Sequence, residues 1–458
     1  MKGLTNKNHW ILEQLEHNPE KVFIETESDK FTFKEVYQNS LFFFNKFSEF
    51  DLQKNSRILI QTSHSPNSLF AVIGAWLCGL TPVVIDSKLT QSETEVLLKL
   101  TDCVFKIEPE IFNPEFNTIL QKNFAEFNSA NEALVICTSG STGKPKAVLH
   151  TFKSLFQSAL NSDSLINHTT NDKWLASLPF YHIGGFLIFI RALIFSSQIC
   201  ISENLSTEKI AESMKYFNPT LCSLVPTMFD RLLTIQTNPW EKLKLLFLGG
   251  GPINSEFVIK QIKKGWPIAK VYGSSETGAM VTGICKEDIL VNPDSCGNPF
   301  GDVKIKIENE NIFVKSNSLF SGYLDGDKLI SPINNDGYFN TQDLGKLNET
   351  GLTIFSRRNN LILTGGKNVD PLEVQEIILT NFDVDDVIVY PTDNIEWGQI
   401  VTAAIVLKPE KTYSETEIKS KLKSKISAYK VPKKILFIRE IPLTKLGKID
   451  YKKLKKLC

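Results

Sequence analysis

The sequence has no excess of charge of either sign, because its 51 Lys and Arg residues equal its 51 Asp and Glu residues. Proteins whose whole surface binds nucleic acid are strongly basic, so this balance argues against that class. An anionic ligand would have to be bound by a local group of residues. With 458 residues the chain is too long for one ordinary core, and its length predicts about three domain-sized units.

The sequence also lacks a long apolar run and any paired-cysteine motif. Its first residues, MKGLTN, contain no apolar core of a signal peptide. The two most apolar stretches, residues 68–80 and 186–196, are shorter than a membrane span, and the second contains Arg191. The eight cysteines are scattered without a Cys-x-x-Cys pair, which indicates reduced thiols rather than disulfides or a zinc site. We therefore expect a cytoplasmic protein without stable membrane insertion.

Alternating strand-like and helix-like segments indicate the fold of the N-terminal part. Strands are predicted over residues 57–60 and 82–85, with a helix over residues 65–80 between them. This alternation predicts a parallel sheet covered by helices. From about residue 303 onward, short alternating strands with turn signals predict a small antiparallel or barrel-like module. Residues 1–356 are therefore expected to form a large α/β domain of helix-covered mixed sheets with this module attached.

The C-terminal part is predicted to be a separate domain. The segment RRNN, whose last residue is 360, is polar and stands between two apolar stretches, so residues 357–360 are expected to be a linker. Helix-like and strand-like segments alternate again beyond it. Residues 361–458 are long enough for an independent α+β domain.

The most informative segment is TSGSTGKPK, residues 138–146, which directly follows the apolar run ALVIC. Backbone N–H groups and hydroxyls in such a loop can surround an anion, with lysine to balance its charge. It is not a Walker loop, because Pro145 follows Lys144 and residues 147–151, AVLHT, predict a second strand. The pattern favours a phosphate-binding loop between two strands. The alternative is a flexible polar hairpin, since Gly and Ser are common turn residues.

Three later segments contain residues that suit a nucleotide. The glycines of LGGGP, residues 248–252, follow a strand and would allow a flat group to approach the backbone. In the loop YGSSETG, Glu276 suits Mg²⁺ held together with nucleotide phosphates, although a solvated loop acid is the alternative. Asp343 in TQDLG could accept both hydroxyls of a ribose, or cap a turn.

Two segments near the C-terminus indicate a ligand site only when they are considered together with the segments above. Arg357 is followed by TGGKN, where a Gly-Gly pair allows backbone contact. Lys448 follows a glycine in PLTKLGKI. By itself this lysine would be assigned to solvent, since many surface lysines surround it.

In order and spacing, the motifs TSGSTGKPK, YGSSETG, TQDLG, RRNNLILTGGKNV and PLTKLGKI resemble those of the acyl-adenylate-forming enzymes. This family includes acyl- and aryl-CoA synthetases, carrier-protein adenylation domains and luciferases. The match extends from about residue 138 to residue 448. The resemblance implies that a carboxylate attacks the α-phosphate of ATP, giving acyl-AMP and pyrophosphate, and that a thiol then attacks the acyl-AMP. ATP, Mg²⁺ and coenzyme A are the implied cofactors, and a small carboxylic acid is the implied partner.

The resemblance also implies roles for individual residues. The phosphate loop would comprise Thr138, Ser139, Gly140, Ser141, Thr142, Gly143 and Lys144. The remaining nucleotide site would comprise Gly249, Gly250, Gly251 and Tyr272 for adenine, Gly273, Ser274, Ser275 and Glu276 for phosphate and Mg²⁺, and Asp343 and Arg357 for ribose. Lys448, on a mobile C-terminal domain, would bridge ATP and the substrate carboxylate. His182 would lie against that carboxylate, with Gly251 beside it, and Gly365 and Gly366 would contact coenzyme A.

Two positions differ from the usual pattern of the family. Ser275 stands where threonine is common, which keeps the hydroxyl and loses a methyl group. Asn359 stands at the hinge position that is usually Asp or Lys. Asparagine tolerates unusual backbone angles, so hinge motion is still expected.

Arg191 is the best indicator of the acid substrate. It lies inside the apolar run FLIFIRALIF and must therefore meet an anion or reach water. A buried Asp or Glu is one possible partner, and a second carboxylate of the substrate is the other. The segment PFYHIGG with Arg191 beyond it resembles the o-succinylbenzoate–CoA ligases of menaquinone biosynthesis. The alternatives are another aryl- or medium-chain acyl-CoA ligase, an adenylation enzyme that loads a carrier protein, or a paralogue without turnover.

Overall fold

The computed structural model describes residues 4–50, 52–112, 123–139, 145–251, 253–357, 362–364, 367–394, 397–426, 428–444 and 449–457. Strands and helices alternate along most of this length, as the sequence predicts. Their bounds follow in chain order.

The strands are mostly short and are distributed over the whole chain. They are β1 Val22–Glu25, β2 Lys30–Thr32, β3 Arg57–Thr62, β4 Thr81–Asp86, β5 Cys103–Ile107, β6 Glu132–Ser139, β7 Pro145–Thr151, β8 Lys173–Leu175, β9 Gln198–Cys200, β10 Leu221–Leu224, β11 Leu245–Leu248, β12 Ile268–Tyr272, β13 Thr282–Cys285, β14 Asn298–Pro299, β15 Lys304–Glu308, β16 Asn311–Lys315, β17 Gly322–Asp325, β18 Lys328–Ile330, β19 Phe339–Asn348, β20 Gly351–Arg357, β21 Ile362–Thr364, β22 Lys367–Val369, β23 Val384–Asn394, β24 Gly398–Leu407 and β25 Lys434–Phe437.

Most of the helices connect consecutive strands. They are α1 Trp10–His17, α2 Phe33–Ser48, α3 Pro66–Leu77, α4 Gln91–Thr101, α5 Phe152–Ile166, α6 Ile183–Ile194, α7 Thr207–Phe217, α8 Pro226–Ile235, α9 Ser255–Lys263, α10 Lys286–Val291, α11 Pro371–Asn381, α12 Glu415–Lys423 and α13 Tyr451–Lys456. Several begin at a capping box, such as Thr32 with Glu35 before α2, where each side chain bonds the backbone N–H of the other.

Two large sheets are mixed, with a parallel centre and antiparallel edges. The nine-stranded sheet has the order β14-β13-β12-β11-β10-β8-β9-β1-β2, and the strands from β12 to β1 run parallel. The seven-stranded sheet has the order β18-β17-β7-β6-β4-β3-β5, with β6, β4, β3 and β5 parallel. The parallel arrangement expected for the first strands is therefore present. It places the carboxyl ends of neighbouring strands at one edge.

Two smaller sheets follow later in the chain. Strands β15, β16, β19 and β20 form a four-stranded sheet in that order, where the sequence predicts a small antiparallel or barrel-like module. A five-stranded sheet has the order β22-β21-β24-β23, with β25 paired to β24.

The chain divides into two compact units. The first comprises Met1–Lys306, Phe313–Thr341 and Leu347–Thr353, and the second comprises Ile307–Ile312, Gln342–Lys346 and Ile354–Cys458. The division into residues 1–356, a linker at 357–360 and residues 361–458 stays a prediction. Asn359 lies outside the described residues.

Each unit has its own apolar core. In the first, α6 is buried along nearly its whole length, and its aromatic rings pack with Trp76 and Phe23. In the second, the core lies between α11, α12 and the five-stranded sheet. Among the residues described, no helix has both the length and the apolarity needed to cross a bilayer.

Candidate active site

The two strands that flank the predicted phosphate loop are antiparallel neighbours. Strand β6 ends at Ser139 and β7 begins at Pro145, and these two residues face each other in the ladder. The loop residues Gly140, Ser141, Thr142, Gly143 and Lys144 lie outside the described residues. The flanks nevertheless agree with the prediction, since the loop joins two strands rather than a strand and a helix as in a Walker loop.

The segment that follows β12 is fixed by hydrogen bonds from other parts of the first unit. The His150 side chain on β7 donates from Nε2 to the carbonyl oxygen of Ser275 at 2.8 Å. The backbone N–H of Phe320 donates to the carbonyl oxygen of Glu276 at 2.9 Å. The Ser158 hydroxyl on α5 donates to the carbonyl oxygen of Gly278 at 2.6 Å. These bonds hold the loop at the edge of the sheet where ligands of α/β proteins bind.

The same loop is also closed internally. The backbone N–H of Ser274 donates to the hydroxyl of Thr277 at 2.8 Å. A Cβ atom at Gly273 would lie 1.6 Å from the carbonyl oxygen of Ala279, so only glycine fits this close approach. Packing alone therefore explains why the first glycine of YGSSETG is required, apart from any contribution to nucleotide binding.

Glu276 presents the loop's carboxylate, and 9% of its surface is exposed. Its Oε1 atom accepts a hydrogen bond of 2.8 Å from the hydroxyl of Tyr323 on β17. Among the described residues, Oε2 accepts no hydrogen bond from protein, which leaves it available to a ligand. No group of three or more His, Cys, Asp or Glu side chains is gathered for a metal within the described ranges. One carboxylate suits Mg²⁺ that is held mainly by phosphate oxygens and water, rather than by a protein cage.

His150 is fully buried behind this loop, and burial lowers its pKa to about 4. A carbonyl oxygen only accepts hydrogen bonds, so Nε2 carries the proton of the neutral ring. His64, which is stacked on Phe180 and bonded to the carbonyl oxygen of Ala176, has its pKa lowered to about 4 for the same reason. Both rings are therefore neutral near pH 7.

This burial predicts a loss of stability in acid. The pKa of each histidine is about 4 in the folded protein and 6.5 in the unfolded chain, so the unfolded chain takes up protons first. The stabilisation is complete above pH 6.5. As the pH falls towards 4, the free energy of unfolding decreases by on the order of 1 kcal/mol per pH unit for each of the two histidines.

Denaturant unfolding of the wild type and of His150→Gln between pH 7.5 and 4 measures this effect. A glutamine can still donate to the carbonyl oxygen of Ser275, but it does not titrate. The variant should therefore lose stability less steeply than the wild type. Equal slopes for the two proteins would contradict the assignment.

The glycines after β11 lie next to the end of β12. Strands β10, β11 and β12 are parallel neighbours, so their carboxyl ends bring Gly249–Gly251 beside Tyr272. Gly250 has a φ of +76°, a conformation that favours glycine, and among the described residues other than its chain neighbours the nearest atom to a Cβ at Gly251 would be 3.7 Å away, on Pro226. The backbone is therefore open on one side. This geometry leaves room for the flat group that the sequence predicts.

His182 stands at the N-terminal end of α6, where its carbonyl oxygen accepts the N–H of Phe186 at 2.9 Å. Its ring meets the ring of Tyr181 edge-on, with centroids 4.7 Å apart. A Cβ atom at Gly185 would lie 2.2 Å from the carbonyl oxygen of Pro179. The second glycine of PFYHIGG thus lets the first turn of α6 pack directly against the backbone of Pro179. This contact fixes the position of His182, which precedes the helix.

Arg191 lies in the last turn of α6 and is 1% exposed. Its Nε donates to the Ser162 hydroxyl at 2.9 Å, and its guanidinium carbon lies 5.7 Å from the centre of the Trp174 ring. Burial lowers its pKa to about 9. Within the described part of the chain, Arg191 makes no ion pair, and its Nη2 has no hydrogen-bond partner. A buried Asp or Glu partner, one of the two alternatives raised by the sequence, is thus not seen there.

The remaining predicted residues belong to the second unit. Asp343 is half-buried on β19, and Arg357 is the last residue of β20. Gly365 and Gly366 lie outside the described residues, between the antiparallel neighbours β21 and β22. Lys448 also lies outside them. Roles for these five positions stay predictions.

Three residues in the geometry of the site were missed by the sequence reasoning: His150, Ser158 and Tyr323. Each contacts the loop after β12 from a distant part of the sequence, with separations of 125, 120 and 47 residues. No local pattern marks them, because each is an ordinary polar residue in a strand or helix. Only the sheet pairing of β7 with β17 could have drawn attention to Tyr323.

The fold and the site define a class of protein, and a comparison with known families agrees. Residues 11–324 match the AMP-binding enzyme family, and residues 373–448 match the AMP-binding enzyme C-terminal domain. The chain belongs to the AMP-binding enzyme family. This confirms the family that the five motifs predicted.

Relatives within the family are similar over their full lengths. The 2-succinylbenzoate–CoA ligase of Listeria innocua is 26% identical, with 98% of each chain covered. The o-succinylbenzoate CoA synthetase of Bacillus subtilis in complex with its acyl-adenylate intermediate has a TM-score of 0.86 and 24% identity, with 99% of each chain covered. The same B. subtilis enzyme in complex with ATP and magnesium has a TM-score of 0.83 and 25% identity, covering 98% of this chain and 99% of that one. The predicted α/β fold class is confirmed.

Proposed function

We propose that this chain is an ATP-dependent acid–CoA ligase that activates o-succinylbenzoate. The carboxylate attacks the α-phosphate of ATP, which forms acyl-AMP and releases pyrophosphate. The thiol of coenzyme A then attacks the acyl carbon, which forms the thioester and releases AMP. The observation that carries this proposal is the fixed Glu276 carboxylate beside β7, the strand that begins where the phosphate loop ends. The similar ligases named above, and the complexes with acyl-adenylate and with ATP and magnesium, support it.

The first step asks the protein mainly for positioning and for charge stabilisation. Thr138, Ser139 and the loop residues 140–144 would bind the phosphates. Glu276 would hold Mg²⁺, which when bound neutralises phosphate charge. Gly249–Gly251 and Tyr272 would hold adenine, with Gly273, Ser274 and Ser275 forming the turn beneath the phosphates. No Ser-His-Asp or Cys-His nucleophile is needed for this chemistry.

The other roles rest on sequence resemblance. Asp343 and Arg357 would bind the ribose, and Gly365 and Gly366 would contact coenzyme A. His182 and Gly251 would border the acyl carboxylate. Lys448 would act in the first step from a C-terminal domain, residues 361–458, that turns about residues 357–360. We also propose a cytoplasmic location.

Arg191 is proposed to bind the second carboxylate of o-succinylbenzoate. A buried guanidinium with an unsatisfied nitrogen is costly unless an anion or water reaches it. The partner seen here, the Ser162 hydroxyl, is neutral and leaves the charge uncompensated. A dicarboxylic substrate would supply the missing charge. An arginine exposed to water would not indicate a second carboxylate on the substrate, because water would compensate its charge.

Arg191→Ala should raise the KM for o-succinylbenzoate, with a loss of roughly 2–5 kcal/mol if the site is dry. Benzoate-like monoacids should be affected little, because they have no second carboxylate to lose a partner. Initial rates of pyrophosphate release with both kinds of acid measure the difference. Thermal unfolding of the variant checks that it folds, and Arg191→Lys tests whether a point charge suffices. An equal loss for both kinds of acid would show a structural role for Arg191.

A screen of pyrophosphate release tests the proposed function as a whole. It would compare o-succinylbenzoate, benzoates and medium-chain acids, each with and without coenzyme A. The fastest turnover is expected with o-succinylbenzoate, with a thioester formed only when coenzyme A is present. Adenylation of another acid, or of o-succinylbenzoate without transfer to coenzyme A, would overturn the corresponding half of the proposal.

A further inference from the structure

Tyr323 lies directly behind the proposed magnesium carboxylate. It is on β17, where it faces Val148 of β7 in an antiparallel ladder. Its hydroxyl lies 2.8 Å from Oε1 of Glu276. Because a carboxylate oxygen only accepts, the phenol is the donor in this bond whenever Glu276 is ionised. Tyr323 thus bonds one of the two carboxylate oxygens, Oε1, and within the described ranges the other, Oε2, accepts no bond from protein.

The Tyr323 ring is itself held on two sides. The Lys146 ammonium lies 4.7 Å from the centre of the ring, and the Phe320 ring meets it edge-on with centroids 4.9 Å apart. Lys146 and Val148 are two residues apart on β7, so they lie on the same face of the strand. A cation over the ring is attracted by its π electrons, so the contact with Lys146 favours this position of the ring. The ring therefore has one orientation, and its hydroxyl points at Glu276.

The backbone of Glu276 is fixed from the same segment of the chain. The N–H of Phe320 donates to the carbonyl oxygen of Glu276, three residues before Tyr323. Phe320 and Tyr323 thus bind both ends of this glutamate, the carbonyl through the backbone and the carboxylate through the phenol. A carboxylate with free rotation would need to be ordered each time a metal binds, and this bond removes that cost.

We propose that Tyr323 is a positioning residue for adenylation, which orients the Glu276 carboxylate so that Oε2 receives Mg²⁺. The inference rests on the proposed function, in which Glu276 holds the metal. Partners of metal-binding carboxylates act on metal affinity without touching the metal or the substrate. Tyr323 is therefore distinguished from a merely structural residue by its effect on the magnesium dependence.

The test is Tyr323→Phe, which keeps the ring, the contact with Lys146 and the packing on Phe320, and removes only the hydroxyl. The concentration of Mg²⁺ that gives half-maximal ATP–pyrophosphate exchange should rise about 10-fold or more, the lower end for such partners. The KM for the acid should not change. Binding of Mn²⁺ to the complex of the enzyme with a non-hydrolysable ATP analogue, followed by electron paramagnetic resonance, should weaken by the same factor without any turnover.

A matched control is Tyr338→Phe. The Tyr338 ring also lies under a lysine, with the Lys315 ammonium 5.7 Å from its centre, but it is outside the proposed machinery. This variant should keep the magnesium dependence of the wild type. A rise in Tyr323→Phe alone supports the inference, and an equal rise in both variants overturns it.

Glu276→Gln and the double variant separate the two proposals. If Tyr323 acts through Glu276, the double variant should be no worse than Glu276→Gln, because the effects of residues in one unit are not additive. If Glu276→Gln abolishes metal dependence while Tyr323→Phe behaves as the wild type, the inference fails and the proposed function stands. If Tyr323→Phe lowers the maximal rate with unchanged metal affinity, its role is structural. If Glu276→Gln keeps full metal affinity, the proposed metal role itself fails.

Discussion

Glu276→Gln is expected to lower the rate of magnesium-dependent ATP–pyrophosphate exchange by roughly two to three orders of magnitude in a protein that remains folded. The substitution removes the negative charge that attracts Mg²⁺, but an amide oxygen can still accept the bond from Tyr323. Loss of one group that stabilises charge in a preorganised site lowers rates by roughly 10²–10³-fold. The measurement is isotope exchange between pyrophosphate and ATP at several concentrations of Mg²⁺. The fold is checked by circular dichroism and thermal unfolding.

Glu241→Gln provides the control, because Glu241 is an exposed carboxylate outside the proposed site. It should exchange pyrophosphate at the rate of the wild type. Normal exchange by Glu276→Gln would mean that the metal is held elsewhere, and the role assigned to the loop YGSSETG would be wrong.

The sequence predicts local structure well where apolar runs end at turn residues. Strand β11 ends at Leu248, directly before the glycines of LGGGP, as predicted, and β6 and β7 flank the polar loop as expected. Helix α3 is shorter than predicted, because Pro66 starts it and Gly79 follows it in a left-handed conformation. These signals depend on residues close together in the chain, so one sequence suffices to find them.

The contacts that hold the loop after β12 in place could not be predicted from local sequence signals. The order of the seven-stranded sheet brings β17 beside β7, although some 170 residues separate them, and nothing in either strand specifies the other. Tyr323 acquires its role through that pairing, and His150 through its contact with Ser275, 125 residues further along the chain. The environment of Arg191 could be predicted in part. The sequence indicates that the charge needs a partner, but only the structure shows that its nearest polar neighbour, Ser162, is neutral.

Lys448→Ala should lower the rate of acyl-AMP formation by at least ~10²-fold, the effect of removing one preorganised charge-stabilising donor. The proposal places Lys448 on a domain that turns, so this lysine should serve adenylation and be absent from the thiol step. The same variant, given synthetic acyl-AMP and coenzyme A, should therefore form the thioester at nearly the rate of the wild type. The two half-reactions are measured separately, by pyrophosphate exchange and by thioester formation from the acyl-AMP.

Lys452→Ala is a suitable control, since Lys452 is an exposed lysine on α13 close to Lys448 in the sequence. It should leave both half-reactions unchanged, because the loss of one solvated charge alters neither adenylation nor transfer. A split between the half-reactions in Lys448→Ala requires that the lysine be present in one step and absent from the other, which a fixed domain does not allow. If Lys448→Ala slows both steps equally, then Lys448 is structural or the domain does not alternate, and the two-conformation mechanism fails for this chain.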